Sequence, residues 1–146
     1  MFLEGLIQRG SLPVLQQVIS FTEARHEVLA NNISNLDTVG YKIQDLPAEE
    51  FNAALRRAVD RRARRGAGAP LEMTSTDHLS WNERGSLQYR LAEVTDNNIL
   101  FHDRNNRFVE KQMADVTQNA LRHKLASELL KQQYGLLKMA ISGRIA

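Results

Sequence analysis

The chain has 146 residues, of which 42% are hydrophobic and only 6% aromatic, with a formal net charge of +2 and no cysteine. That is enough chain for one domain. It excludes disulfides and thiolate zinc sites, and no apolar run is long enough to form a membrane-spanning helix. So few aromatics suit helix-on-helix packing better than a sandwich or barrel.

Residues 1–10 read as a short amphipathic piece ending at Gly10, without the basic start and long apolar run of a secretory signal peptide. Ser11-Leu12-Pro13 predicts a helix start, a capping hydroxyl followed by Pro in the first turn, where its missing N–H costs nothing. The helix that follows carries Val14, Leu15, Val18, Phe21, Val28 and Leu29 on one face, with Thr22 and Arg25 interrupting the stripe. Its 14/21/28 and 15/22/29 spacing is heptad-like.

This helix runs into Asn31, Asn32, Ile33, Ser34, Asn35, Leu36, Asp37, Thr38, Val39, Gly40 and Tyr41. Asn and Asp side chains hydrogen-bond nearby backbone, and Gly40 supplies a positive φ, so a loop is expected. Ile33 carries the apolar periodicity into this polar patch, so the Asn side chains are expected to hold backbone in place.

Asp45-Leu46-Pro47 repeats the helix-start grammar, with Glu49 and Glu50 in the first turn and Phe51, Leu55, Ala58 and Val59 as a short stripe. Arg56, Arg57, Arg61, Arg62, Arg64 and Arg65 crowd its C-terminal end, and 66–70 read as a Gly/Ala/Pro linker. Residues 71–105 look extended and irregular. Within them 85–91 alternate as a half-buried strand with Leu87, Tyr89 and Leu91 on one side, Ile99-Leu100-Phe101 suggests another strand, and 103–106 suggest a turn.

From about Arg107 to Ile141 runs a seam at steps of four and three: Val109, Met113, Val116, Ala120, His123, Ser127, Leu130, Tyr134, Leu137 and Ile141. Such a seam over more than four heptads predicts a coiled-coil helix roughly 50 Å long, which needs a partner of similar length. The first helix is the best candidate, and Leu121, Leu125 and Leu129 would then remain on an outward face. His123 and Ser127 either form a functional polar pair, fix the register of the seam, or mark where the helix changes contact face. The fold class is therefore mainly α: long N- and C-terminal helices pair as an antiparallel coiled coil, and a short irregular middle contains a small β element. Residues 1–42 and 107–146 are expected to form the helical core and 43–106 the excursion.

Catalytic chemistry is hard to find. The four histidines show no metal-ligand spacing, no Ser lies in a nucleophile elbow, and Gly66-Ala67-Gly68 is followed by Pro70 and preceded by no strand, unlike a phosphate loop. The Arg cluster either contacts a nucleic acid or another polyanion, or is a solvated helix end whose cations complement the dipole.

The run Ala30, Asn31, Asn32, Ile33, Asn35, Thr38, Gly40, Tyr41 and Lys42 resembles the N-terminal signature of the bacterial flagellar rod and hook proteins. Val39 stands where the family usually has Pro, and Leu36 replaces a small residue. The segments 109–114, 119–123 and 136–144 are similar to the C-terminal end of the membrane-proximal rod members. The usual Gly before the long helix is missing, with Arg104 and Asn105 in that region.

The resemblance implies a structural subunit that is exported through the flagellar type III apparatus without a cleaved signal peptide. It would polymerise in the periplasm, with its end helices in the inner tube and its middle facing outward, into a shaft that transmits torque. Implied partners are copies of itself, other rod proteins, the adaptor FliE and the export gate. No cofactor, small-molecule substrate or nucleic acid is implied, and the chain would not be an integral membrane protein. The alternatives are another rod protein of the same family or a basic helical nucleic-acid-binding module.

Overall fold

The structure is a computed structural model that describes residues 10–38, 41–66, 68–94 and 104–143, with side chains described from 109 onward in the last stretch. The elements in order are α1 (Leu12–Ser34), β1 (Gln44–Asp45), α2 (Ala48–Arg65), β2 (Leu79–Trp81), β3 (Leu87–Tyr89), β4 (Ala92–Glu93) and α3 (Arg104–Ser142). The N-terminal amphipathic piece, Gly40 and the strand expected at 99–101 lie outside the described residues.

Helix α1 starts at Ser11 as predicted, but its hydroxyl makes no cap bond. Ser11 is already in the helical region, and its carbonyl accepts from the Leu15 N–H at 2.9 Å. Helix α3 has 39 residues and spans about 58 Å at 1.5 Å per residue. It begins earlier than the sequence suggests, so the turn expected at 104–106 is helix instead. The two long helices run antiparallel: Asn32, near the end of α1, bonds Gln112, near the start of α3, while Gln16 reaches Tyr134.

The main apolar core does not lie between these two helices. Phe21 and Val28 of α1 pack with Leu46, Phe51 of α2 and Leu79 of β2, and Val18, Leu55, Met73, Trp81 and Leu87 close around them. The Phe21 and Phe51 rings stack with centroids 4.1 Å apart and planes within 9°, a near-parallel contact between large apolar surfaces. The 14/21/28 stripe therefore faces the middle of the chain. It is the neighbouring stripe, with Thr22, Arg25 and Asn32, that meets α3. Thr22 and Arg25 are not interruptions but buried members of the interface, 2% and 6% exposed.

Two short antiparallel pairs complete the middle: β1 with β4, Gln44 opposite Glu93, and β2 with β3, Leu79 opposite Tyr89. The β2–β3 turn needs Gly85, whose φ of +76° an L side chain rarely adopts. Asn82 Oδ1 accepts from the N–H groups of Arg84 and Ser86, closing that turn. Leu87 is half-buried, but Tyr89 and Leu91 are exposed, so the side expected to be buried is covered only at its first residue. Gln17 fastens this hairpin to α1 by accepting from Trp81 Nε1 at 2.8 Å and donating to the Gly85 carbonyl at 3.1 Å.

Candidate assembly interface

The Asn-rich stretch is the end of α1 and the return of the chain along it. Asn32 is fully buried. Its Nδ2 donates to the Gln44 carbonyl at 2.6 Å and to Gln112 Oε1 at 3.1 Å. Its Oδ1 accepts from Tyr41 Oη at 3.0 Å and from the Gln44 N–H at 3.2 Å. One side chain thus joins α1, the return strand β1 and α3, with all its hydrogen-bonding capacity used. Asn35 Nδ2 donates to the Asn31 carbonyl at 2.8 Å, a second bond beside the one from its own backbone N–H, and its Oδ1 accepts from Thr38, so the side chain ties the helix end to the turn that follows. Ile33 and Asn35 are half-buried, and Asn31 and Thr38 are exposed.

Next along α1 comes an ion pair whose cation is buried. Arg25 donates from Nε and Nη2 to the two carboxylate oxygens of Asp45 at 2.9 and 2.7 Å, and Asp115 of α3 lies 3.8 Å away. The Asp45 hydrogen bond raises the Arg25 pKa, against the opposing effect of burial, and the charges of Asp45 and Asp115 raise it further. Asp45 also accepts from the Leu46 N–H, so the residue expected to start α2 instead ties β1 to α1.

Further along, Thr22 Oγ1 lies 2.9 Å from the Val18 and Ile19 carbonyls and 3.0 Å from His123 Nδ1. The hydroxyl has one proton and two carbonyls to receive it, which assigns the donor role in the third contact to His123 Nδ1–H. Ser127 lies 3.5 Å from the other ring nitrogen. Asn119 Nδ2 donates to the Thr22 carbonyl at 2.8 Å, while its buried Oδ1 has no hydrogen-bond partner.

The face of α3 turned to α1 is therefore centred on Gln112, Asn119 and Ala126, all buried. Of the apolar seam residues, Val109, Val116, Leu130 and Leu137 are half-buried, whereas Met113, Ala120, Tyr134 and Ile141 are exposed. On α1, Phe21 and Val28 are buried and Val14 and Val18 half-buried. A search for apolar residues looks past Gln112 and Asn119. The signal that finds them is their own seven-residue spacing, continued by Ala126. On the outer side of α3, Leu121 and Leu125 are 67% and 60% exposed, with Leu129, Leu136 and Met139 also uncovered.

The Arg cluster is partly engaged within the chain. Arg61 reaches the Glu72 carbonyl and Thr74, Arg62 reaches the Gly10 carbonyl, and Arg65 pairs with Glu72 at 2.8 Å. Among the described residues no group of three or more His, Asp and Glu is placed to hold a metal ion, and no helix is long and apolar enough to cross a membrane.

These features define an α-helical chain with paired ends, a polar seam, a small β-bearing insertion and an uncovered apolar row. Residues 22–42, the Asn-rich stretch and the half-helix before it, match the family described as "Flagella basal body rod protein". The flagellar basal body rod protein FlgB of Escherichia coli (strain K12) is 30% identical over 141 residues, covering 92% of this chain and 95% of that protein. The FlgB proteins of Proteus mirabilis (32% identical, 70% of this chain and 80% of theirs) and Bacillus subtilis (24%, 92% and 95%) are also similar. The chain belongs to this family of flagellar basal-body rod proteins. No solved structure matches it.

Proposed function

We propose that this chain is a structural subunit of the proximal rod of the flagellar basal body, assembling with copies of itself and with other rod proteins into the shaft that transmits torque. The observation that carries the reading is the uncovered row Leu121, Leu125, Leu129 and Leu136 on α3, opposite the seam that holds α1. A row of leucines along one face of a long helix is costly to leave in water and gains from a neighbour's apolar surface.

In this reading residues 1–42 and 107–146 form the inner-tube part, and 43–106 face outward. The chain reaches the periplasm through the flagellar type III apparatus without a cleaved signal peptide, and meets the adaptor FliE and the export gate at the membrane-proximal end. Its work is packing: torque passes between subunits through interlocked helices.

Leu121→Lys with Leu125→Lys tests this. The purified double variant is expected to fold as the unaltered chain does but to lose concentration-dependent association in sedimentation, and cells carrying it are expected not to swim. Normal rods and motility in that variant would overturn the assignment of this face.

A further inference from the structure

We propose that a groove between α1 and α3 receives arginine side chains of α2 from a second copy of this chain, an inference that rests on the self-assembly proposed above. The groove is lined by Thr22, Glu23, His26, Glu27, Asn119 and His123. Glu23 and Glu27 stand one turn apart on α1, exposed, with no ion-pair partner among the described residues. Asn119, only 1% exposed, lines the same groove, and its Oδ1 is the buried side-chain oxygen without a partner. The two exposed carboxylates present acceptors only, and Asn119 Oδ1, though shut from solvent, is a further unmet acceptor on a lining residue; together they call for a donor with several N–H groups and a positive charge. A guanidinium, with five donors in a planar fork, can hold a carboxylate and still donate sideways, which an ammonium does less well.

This chain offers such groups. Arg56, Arg57 and Arg64 are exposed and have no partner among the described residues, whereas Arg61, Arg62 and Arg65 are tied down within the chain. They cannot come from the same molecule. Its α2 packs on the Phe21 side of α1, where Phe51 stacks on Phe21, while the groove opens on the Thr22–Glu23–His26 side. A contact between two different surfaces of identical chains is head-to-tail, and such contacts build open helical filaments when the rotation does not close.

The test uses the full chain. Glu23→Lys with Glu27→Lys is expected to weaken self-association roughly tenfold, and adding Arg57→Glu with Arg64→Glu in the same chain to restore most of it, because the charges then exchange sides. Since the chain has no cysteine, Glu27→Cys and Arg57→Cys chains can be mixed and oxidised; disulfides joining the two variants should exceed those joining like to like. All altered side chains are exposed, and circular dichroism checks that each variant folds. Association untouched by the glutamate reversal, without mixed disulfides, would overturn the groove contact and leave assembly through the α3 leucines standing. Weakening by the arginine reversal with no effect of the glutamate reversal would also overturn it, placing the arginines against another acidic surface of the second copy. A wild-type chain that stays monomeric at every concentration would instead overturn self-assembly itself.

Discussion

Asn32 Nδ2 donates to Gln112 Oε1 at 3.1 Å, across 80 residues of sequence, and both side chains are buried. The same amide serves Gln44 and Tyr41, so Asn32→Ala strands the Gln112 oxygen and the Gln44 backbone groups together. A buried group left without its partner costs about 1–3 kcal/mol. The loss expected for Asn32→Ala in urea unfolding is therefore about 2–4 kcal/mol. Asn31→Ala, at an exposed position, should stay within about 0.5 kcal/mol. Equal effects of the two substitutions would show that Asn32 is not the joint.

The Arg25–Asp45 pair should respond asymmetrically. The Arg25 side chain is 7% exposed and that of Asp45 26%. Asp45→Ala leaves a buried guanidinium facing only Asp115 at 3.8 Å, which should cost on the order of 3 kcal/mol. Arg25→Met leaves carboxylates that reach water and removes the desolvated cation, so its cost should be smaller. Thermal unfolding of the two variants side by side gives the order, and a more stable Asp45→Ala protein would contradict it.

Glu50 gives a pH dependence with a definite sign. Burial pushes its pKa up, but hydrogen bonds from His78 and Thr76 and the His78 charge outweigh burial and hold it below its ordinary value of 4.5. A carboxyl depressed in the folded state contributes stability that is fully present above the unfolded value and is lost as pH falls through the folded one. The chain should lose this contribution on acidification below about 4.5. Glu50→Gln should lack it, flattening the acid limb of a denaturation series. An unchanged limb would show that the pair with His78 at 2.8 Å adds nothing.

Leu79→Ala probes the middle of the chain. Leu79 is fully buried against Phe21, Val28 and Phe51, and a core Leu→Ala change costs about 2–5 kcal/mol. Because that cluster contains no residue of α3, the loss should appear first as faster hydrogen exchange in α2 and in the β2–β3 hairpin. Uniform acceleration along α3 instead would mean that the two parts unfold as one unit.

The pairing of the chain ends was legible because periodicity survives in both long helices, and α1 begins where Ser11 and Pro13 announce it. The seam departs from the apolar pattern for a physical reason. Apolar stripes mark where burial is dense, and in α1 that is the face turned to the middle of the chain, where Phe21 meets Phe51. The contact with α3 is made by hydrogen bonds among Thr22, Asn32, Gln112 and Asn119. Such residues look like solvated surface until both partners are known. In the Asn-rich stretch Asn32 and Asn35 do bond backbone carbonyls, but nothing local to it shows that Asn32 reaches Gln112. The burial of Leu79 leaves no signal in the sequence, because a three-residue strand is too short to show alternation.

The polar seam has a mechanical consequence. Oil-like surfaces slide, since one apolar neighbour serves nearly as well as the next. The contacts of Asn32 with Gln112, Arg25 with Asp115, and Thr22 with Asn119 and His123 work only at one setting. Moving α3 one heptad along α1 would separate all of them together; the 112/119 spacing can bring a second amide opposite Asn32, but Arg25 would lose Asp115 and Thr22 would lose His123. The helix pair therefore behaves as a detent rather than a bearing: it sits in one notch, resists creep along its own axis, and gives way, if at all, in a single step.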